Sequence, residues 1–318
     1  MNANAMAMVD YPEMTDGFEI DLGEHIEYIF ELALKGGPDP SDYDKLHDCF
    51  QSIGDLIHSG KHAHSDLVKY WSVLGDIFSI ETMQGHVVSR PHGYFGDFEI
   101  IDKIYRKHVT SADNLRKWDL FFHAQAAPKA VRNRKRYFID VIRKRISKYH
   151  NSEPYNILNV GSGPARDVLE CFEYLNGNGN VYFECVDQEP KANRYAKNLC
   201  YKYLNQIKFH ERNIFRLKLY DKYSLIWSAG LFDYLDEKLF ISLLKKFLTL
   251  CKPDGEIIIG NFSKNNPTRD YMEFAHWFLY HRDEEELTQL AIESGVSDQN
   301  IFIGREPEGV NLFLHIKT

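Results

Sequence analysis

The spacing of apolar residues divides the chain into two parts with different periods. In the first part apolar positions recur every three or four residues, as on a helix with one buried stripe. Ile26, Ile29, Phe30 and Leu34 mark a helix over 22–34 that stops at Gly36-Gly37-Pro38. Leu46, Phe50, Ile53 and Ile57 mark a second, with Ser41 placed to open it as N-cap. Further helices are predicted over 65–80, 97–108, 113–125 and 128–149. Between the third and fourth lies RPHGYFGD (90–97), a loop punctuated by proline and glycine.

From about residue 155 the period changes. Short apolar runs at 156–160, 181–186, 207–211, 223–227 and 256–260 read as strands, with helical patterns over 164–175, 190–204 and 236–250 between them. Strands alternating with helices imply βαβ units and a mostly parallel sheet. The tail IFIGREPEGVNLFLHIKT reads as two strands around a glycine-containing turn, a hairpin at a sheet edge. The reading is therefore an all-helical domain over 1–150 and an α/β domain over 151–318, with the boundary near 150–154.

Composition permits this division. The chain has 318 residues, 44% of them hydrophobic, enough for two cores. A net charge of −8 argues against nucleic acid as the main partner. No run reaches the roughly 18 apolar residues of a membrane span. The start lacks a basic region followed by an apolar core, so no secretory signal is read and a cytoplasmic location is expected. The five cysteines form no CxxC pair and their number is odd, which favours reduced, buried thiols over disulfides. No metal is expected.

Candidate chemistry gathers in the second part. NVGSGPARD (159–167) follows a strand and opens a helix, where glycines admit close backbone approach and free N–H groups meet a ligand. Taken alone it fits a NAD site, a different nucleotide site or a plain tight turn. A dinucleotide fingerprint would carry a third glycine where Arg166 stands, and the GK[ST] of a P-loop is absent. Asp187 ends the second strand and could accept both ribose hydroxyls of an adenosine, or simply cap the helix starting near Pro190. Asn213 and Ile214 follow the third strand, a polar group and an apolar one that suit an adenine. SAGLFDYL (228–235) follows the fourth, at the carboxyl edge of the sheet where open α/β folds bind ligands.

The ordered set Gly161-Ser162-Gly163, Asp187, Asn213, 228–234 and 252–255 resembles the motif series of class I S-adenosylmethionine (SAM)-dependent methyltransferases. That resemblance covers residues 155–318. It implies a Rossmann-like sheet of seven strands with a terminal antiparallel hairpin, behind the all-helical N-terminal domain. It also implies roles. Gly161, Ser162 and Gly163 would lie against the methionine part of SAM, and Asp187 would take the ribose hydroxyls. Gln188 would lie beside the adenosine, Asn213 and Ile214 would flank the adenine, and Ser228, Ala229 and Gly230 would line the space near the sulfonium. Arg166 departs from the commonest pattern.

The acceptor is less marked. The [DN]PP[FY] of amino-methyltransferases is absent after the fourth strand, as are the metal-binding carboxylates of catechol-type enzymes and the paired glutamates that hold a guanidinium. RPHGYFGDFEIIDKIY and AVRNRKRYFIDVI, with NVGSGPARD and SAGLFDYL, are similar to a bacterial group tied to biosynthesis of 3-hydroxypalmitic acid methyl ester. This resemblance implies O-methylation of a carboxylate on an acyl or other small acid, with the helical domain as substrate or lid domain. A peptide or protein acceptor, or a non-catalytic SAM-binding module, are the alternatives; a homodimer is also allowed. Candidate acceptor-side residues are His92 and Tyr94 in the 90–97 loop, Tyr234, and Tyr271 and His276 beyond the fifth strand. For these the plain alternatives are a turn with a buried tyrosine, a helix start and an amphipathic surface helix. Residues 129–148 hold nine Lys/Arg and one acid. The run is either a solvated helix face or a grip for an anion, with Arg132 and Arg134 the first to test.

Overall fold

In the computed structural model the described residues are 23–59, 67, 71, 74–149, 153–175 and 180–318. They fall into two compact units, one of residues 130–266 and 279–318, the other of described residues within 8–129 together with 267–278.

The first unit is built on one sheet. Its strands are β1 (Tyr155–Val160), β2 (Val181–Asp187), β3 (Ile207–Glu211), β4 (Tyr223–Ser228), β5 (Cys251–Phe262), β6 (Ile301–Arg305) and β7 (Asn311–Lys317). Their order is β3-β2-β1-β4-β5-β7-β6. The first five run parallel, while β7 pairs antiparallel with both β5 and β6. This is the seven-stranded sheet with terminal hairpin that the periodicity predicts. The order reverses between β1 and β4, which opens a crevice at the carboxyl ends of those two strands.

Both faces of the sheet are covered, so the central strands read as continuous apolar runs. One face packs Ile157, Phe183, Cys185, Leu225 and Trp227 against Phe138, Ile142, Val168 and Phe172. Phe138 and Ile142 come from the long helix that ends the first half of the sequence, Ala126–Ile146 (α6). Val168 and Phe172 come from Arg166–Tyr174 (α7). The other face packs Leu158, Ile226, Ile257 and Ile259 against Phe240, Leu244 and Phe247 of Glu237–Leu250 (α9), and against Leu287 and Leu290 of Glu284–Glu293 (α11). Pro190–Leu199 (α8) follows β2, with proline at its start where no N–H is missed.

Two local expectations need correction. Pro253-Asp254-Gly255, which read as a turn between a helix and a strand, lie within β5, where the β4–β5 register shifts between Tyr223 and Leu225. Asp254 takes φ 64° there, which lets the strand continue past the extra residues. Ser41 is not an N-cap: it lies in a 3₁₀ turn over Pro40–Asp42, and the helix follows at Tyr43–His58 (α2).

The second unit holds Gly23–Leu34 (α1), α2, Met83–Ser89 (α3), Phe98–Arg106 (α4), Arg116–Ala124 (α5) and Arg269–Phe274 (α10). α10 packs on α2 so closely that a Cβ on Gly54 would lie 2.2 Å from Asp270 Oδ1. The helix predicted over 65–80 lies largely outside the described residues; Gly75–Phe78 form a 3₁₀ turn. All five cysteines are free and buried. No helix among the described residues is long and apolar enough to cross a membrane.

Candidate functional site

The loop after β1 bends sharply. Gly161 and Gly163 have φ of 67° and 50°, in the left-handed region where glycine carries no steric penalty. A Cβ on Gly163 would meet nothing within 4 Å, so open space lies beside this backbone. The N–H groups of Gly161 and Ser162 both donate to Val186 O, at 2.9 and 3.2 Å, which ties the loop to β2. The Ser162 hydroxyl is buried without a partner. Ala165 is also left-handed, with φ 52°, at the position where the loop turns into α7. Its methyl is fully buried among the residues that cover the sheet. Arg166 begins α7, half-buried.

Asp187 closes the loop from the neighbouring strand. Its Oδ2 accepts from the Gly163 N–H and its Oδ1 from the Glu189 N–H, both at 2.9 Å. Burial pushes its carboxyl above the usual carboxylate range, partly offset by these two N–H donors. It is not the cap of α8, because Glu189 fills that role by accepting from Lys191 N–H at 2.9 Å. Asn213 Nδ2 donates to Gln188 Oε1 at 2.8 Å, and its Oδ1 accepts from Phe215 N–H at 2.9 Å. Ile214 is buried beside them. Gln188, Asn213 and Ile214 are thus brought together at the ends of β2 and β3.

After β4 the Ser228 hydroxyl is fully buried and donates to Val160 O at 3.0 Å, joining the ends of β4 and β1. Gly230 faces Arg134 of α6, whose Nη1 would lie 2.9 Å from a Cβ placed there. Arg134 is only 7% exposed, unlike its neighbours in the basic run. Elsewhere in the run Arg145 pairs with Glu256 and Lys135 with Glu170.

Asp233 does not start α9, since Asp236 caps that helix by accepting from Leu239 N–H at 2.8 Å. Instead Asp233 is buried and accepts from Phe262 N–H at 2.7 Å. Burial raises its carboxyl to about 6, against the opposing pull of that N–H, Arg134 and Arg282. Arg282 donates to Phe232 O and Asn261 Oδ1, at 3.1 and 2.8 Å, and so pins the segment after β4. Asp167, in the first turn of α7, is likewise raised to about 6 by burial, opposed by Val168 N–H and by Arg134. Arg134, Asp167 and Asp233 are all buried, and the charge of Arg134 acts on both acids. Asp167 closes the NVGSGPARD motif, whereas Arg282 carries no local motif that would single it out. Arg134 is named in the sequence only together with Arg132, and nothing there shows which of the two is buried.

The acceptor-side candidates sit in different surroundings. Tyr234 ends the 3₁₀ turn Phe232–Tyr234, half-buried. In the helical unit His92 places Nε2 2.9 Å from Glu99 Oε2, and its ring packs on Phe98. Burial raises Glu99, but hydrogen bonds from His92 and Lys103 outweigh it and hold the carboxyl at about 2. Glu99 is therefore ionised and accepts from His92. Lys103 continues to His86 Nδ1 at 3.0 Å, and His86 Nε2 meets Asp97 at 3.1 Å. His86 shows no local pattern that would mark it. Asp97 caps α4 through Glu99 and Ile100 N–H. Tyr94 Oη accepts from Phe98 N–H at 3.3 Å.

Tyr271 is buried in α10 among Phe50, Phe121 and Phe122, its hydroxyl without a partner, and burial pushes it well up. His276 lies past the end of α10 with φ 58°, edge-on to Trp71 at 4.5 Å. The surface-helix alternative for His276 does not hold, because the helix stops at Phe274.

The residues of the first unit can accommodate SAM. The site offers an open cradle at Gly163, an unpartnered buried hydroxyl at Ser162, an acid at Asp187 and an amide pair at Gln188 and Asn213.

Comparison with known proteins bears on the same region. Residues 151–298 match the family model described as a methyltransferase domain. No curated protein matches the chain. Among solved structures, a possible exported protein from Bordetella parapertussis superposes with a TM-score of 0.57 at 13% identity, covering 94% of this chain and 95% of its own. The magnesium protoporphyrin IX methyltransferase of Synechocystis PCC 6803, solved with SAH, superposes at 0.46 and 12%, covering 60% and 86%. The N-methyltransferase NodS of Bradyrhizobium japonicum WM9 gives 0.41 and 12%, covering 58% and 96%.

Proposed function

We propose that this chain, a SAM-dependent methyltransferase by virtue of its domain at residues 151–298, methylates the carboxylate oxygen of an acyl or other small acid. SAM supplies an electrophilic methyl group on a sulfonium, open to in-line displacement. The rest falls to the protein. Gly161, Ser162 and Gly163 bear on the methionine part, and Asp187 on the ribose hydroxyls. Gln188, Asn213 and Ile214 flank the adenine. Ser228, Ala229 and Gly230 line the reacting end.

The observation that carries the choice of acceptor is the loop after β4. Ser228 has committed its hydroxyl to Val160 O, while Ala229 and Gly230 have no titratable group. Asp233 is buried and tied to Phe262 N–H. Residues 228–233 of this loop therefore offer no free base, which leaves Tyr234 as the loop's remaining titratable side chain. A hydroxyl or amine acceptor needs its proton removed, whereas a carboxylate is already an anion at neutral pH. Alignment and exclusion of water are then enough. The likeness of the 90–97 loop and of NVGSGPARD to the hydroxypalmitate methyl ester group supports the same reading. Acceptor choice is assigned to the helical unit, with His92 and Tyr94 as its first candidates.

The test is a transfer assay with methyl-tritiated SAM against fatty acids, hydroxy fatty acids and acidic peptides. The label is expected on a small acid and is released as volatile methanol by mild alkali, as from an ester. Label that survives alkali would place the methyl on nitrogen, carbon or an ether oxygen and overturn the reading.

A further inference from the structure

The sheet ends, far from the crevice between β1 and β4, on an edge open to another strand. β6 is the last strand in the order and pairs with β7 on one side; among the described residues no strand pairs with its other side. Alternate N–H and C=O groups of β6 therefore point outward as a template for one more strand. Natural sheets blunt such an edge with lysine, proline or a bulge. Ile301–Arg305 contains neither lysine nor proline, and the β6–β7 register runs without a shift. The two faces of this edge differ. Ile301 and Ile303 pack on the core that holds Leu287 and Leu290 of α11. Phe302 stands on the opposite face, 63% exposed, its ring centroid 5.6 Å from that of His315. Gly304 lies on that face too, against the Tyr137 hydroxyl, which a Cβ would strike. Beside Ile301 and Ile303 runs a groove of about 500 Å³ whose acids are Glu284, Glu285 and Asp298. Arg305, exposed at the end of the strand, already pairs with Glu284.

We propose that two copies of this chain associate through β6, pairing it antiparallel with itself about a twofold axis at Ile303. This register engages all five residues of the strand: Ile303 meets Ile303, Phe302 meets Gly304 and Ile301 meets Arg305. An axis at Phe302 or Gly304 would pair only three of the five with one another. Phe302 of each copy then covers the bare backbone of Gly304 of the other, as an aromatic shields an edge glycine. Arg305 of each copy arrives beside Ile301 of the other, three residues from Asp298, so each cation enters the acidic groove of the opposite copy. Both matches occur twice, as a twofold interface requires. The proposal is independent of the acceptor and of the methyl-transfer chemistry.

The test is sedimentation velocity of the full chain from about 1 to about 200 µM. One pair of short strands lies at the small end of specific interfaces, below roughly 1,200 Å², so a reversible dimer with a Kd of about 10 µM is expected. Phe302→Lys sets a charge on the edge and uncovers Gly304, and is expected to weaken the dimer about 30-fold. Arg305→Glu sets acid against acid and is expected to weaken it about 10-fold. Adding Asp298→Arg to Arg305→Glu reverses both charges and should bring the Kd back to within about threefold of the unaltered chain. All three side chains are exposed, so the variants are expected to fold, which circular dichroism checks. A chain that stays monomeric to the top of the range would overturn the proposal and leave the edge to the strand of a different protein. A dimer unmoved by both Phe302→Lys and Arg305→Glu would overturn it by placing the interface elsewhere. Failure of the charge reversal to restore the dimer would overturn the pairing about Ile303.

Discussion

Asp187→Asn is expected to weaken binding of SAM and SAH by about 100-fold, since two charge-assisted hydrogen bonds at about 1.5–3 kcal/mol each are put at risk. The carboxylate stands between two backbone donors, Gly163 N–H and Glu189 N–H. An amide can accept from only one of them and turns its own N–H₂ toward the other. One oxygen is thus lost both to the glycine loop and to the ribose hydroxyls that Asp187 is proposed to take. Either the bend at Gly163 or the turn at Glu189 then loses its tether along with the ribose contact. Titration calorimetry reads the effect directly. An unchanged affinity would remove Asp187 from the cofactor site and leave it a fastener of the β1 loop. Folding should persist, because a raised carboxyl is already partly desolvated and its replacement by a neutral amide removes a buried charge.

Gly260→Ala is expected to destabilise the first unit strongly. A Cβ there would lie 2.5 Å from the Ala229 carbonyl oxygen and 3.1 Å from its carbon. Both are backbone atoms, so no side chain can swing aside. Either β5 moves off β4, breaking the register that pairs Ser228 with Ile259, or the loop after β4 is pushed toward the ligand. Overpacking of this kind costs about 3 kcal/mol, which is roughly 10 °C of Tm for a unit of this size. Gly309→Ala is the matched control. Its φ is 69° but nothing lies within 4 Å of the added methyl, so only backbone strain of about 1 kcal/mol applies. Calorimetric melting of the two variants separates the mechanisms. A Gly260→Ala protein no less stable than Gly309→Ala would show that the β4–β5 contact is looser than the backbone positions imply.

Much of the first unit is legible in the sequence because its signals are local. Each strand is a short apolar run, each helix carries its own stripe, and NVGSGPARD announces a strand, a turn and a helix in nine letters. The end hairpin follows from two strands around a glycine turn. What escapes local reading is set by distant partners. The bulge in β5 depends on how β4 pairs with it. Residues 267–278 group with the N-terminal helices because Tyr271 and Phe274 pack on Phe50, more than two hundred positions earlier. α11 carries a local signal of its own, since Asp283 and Glu286 form a reciprocal capping box with both N–H to carboxylate distances at 2.9 Å.

The site shows the same division. Gly161, Gly163 and Asp187 stand out because their residue types are fixed by backbone conformation and by strand ends. Arg134 does not, because a basic helix face and a buried guanidinium look identical until the helix is packed. Ala165 is a further case. The left-handed turn into α7 would suit glycine, but the buried methyl contributes to the core that covers the sheet. A glycine fingerprint read from letters alone therefore undercounts the conformations that the loop adopts.

The measurement that bears most directly on this account is isothermal titration of the full chain with SAM and with SAH. Each is expected to bind, one molecule per chain, with the product competing for the site of the cofactor. Failure of both to bind would contradict it.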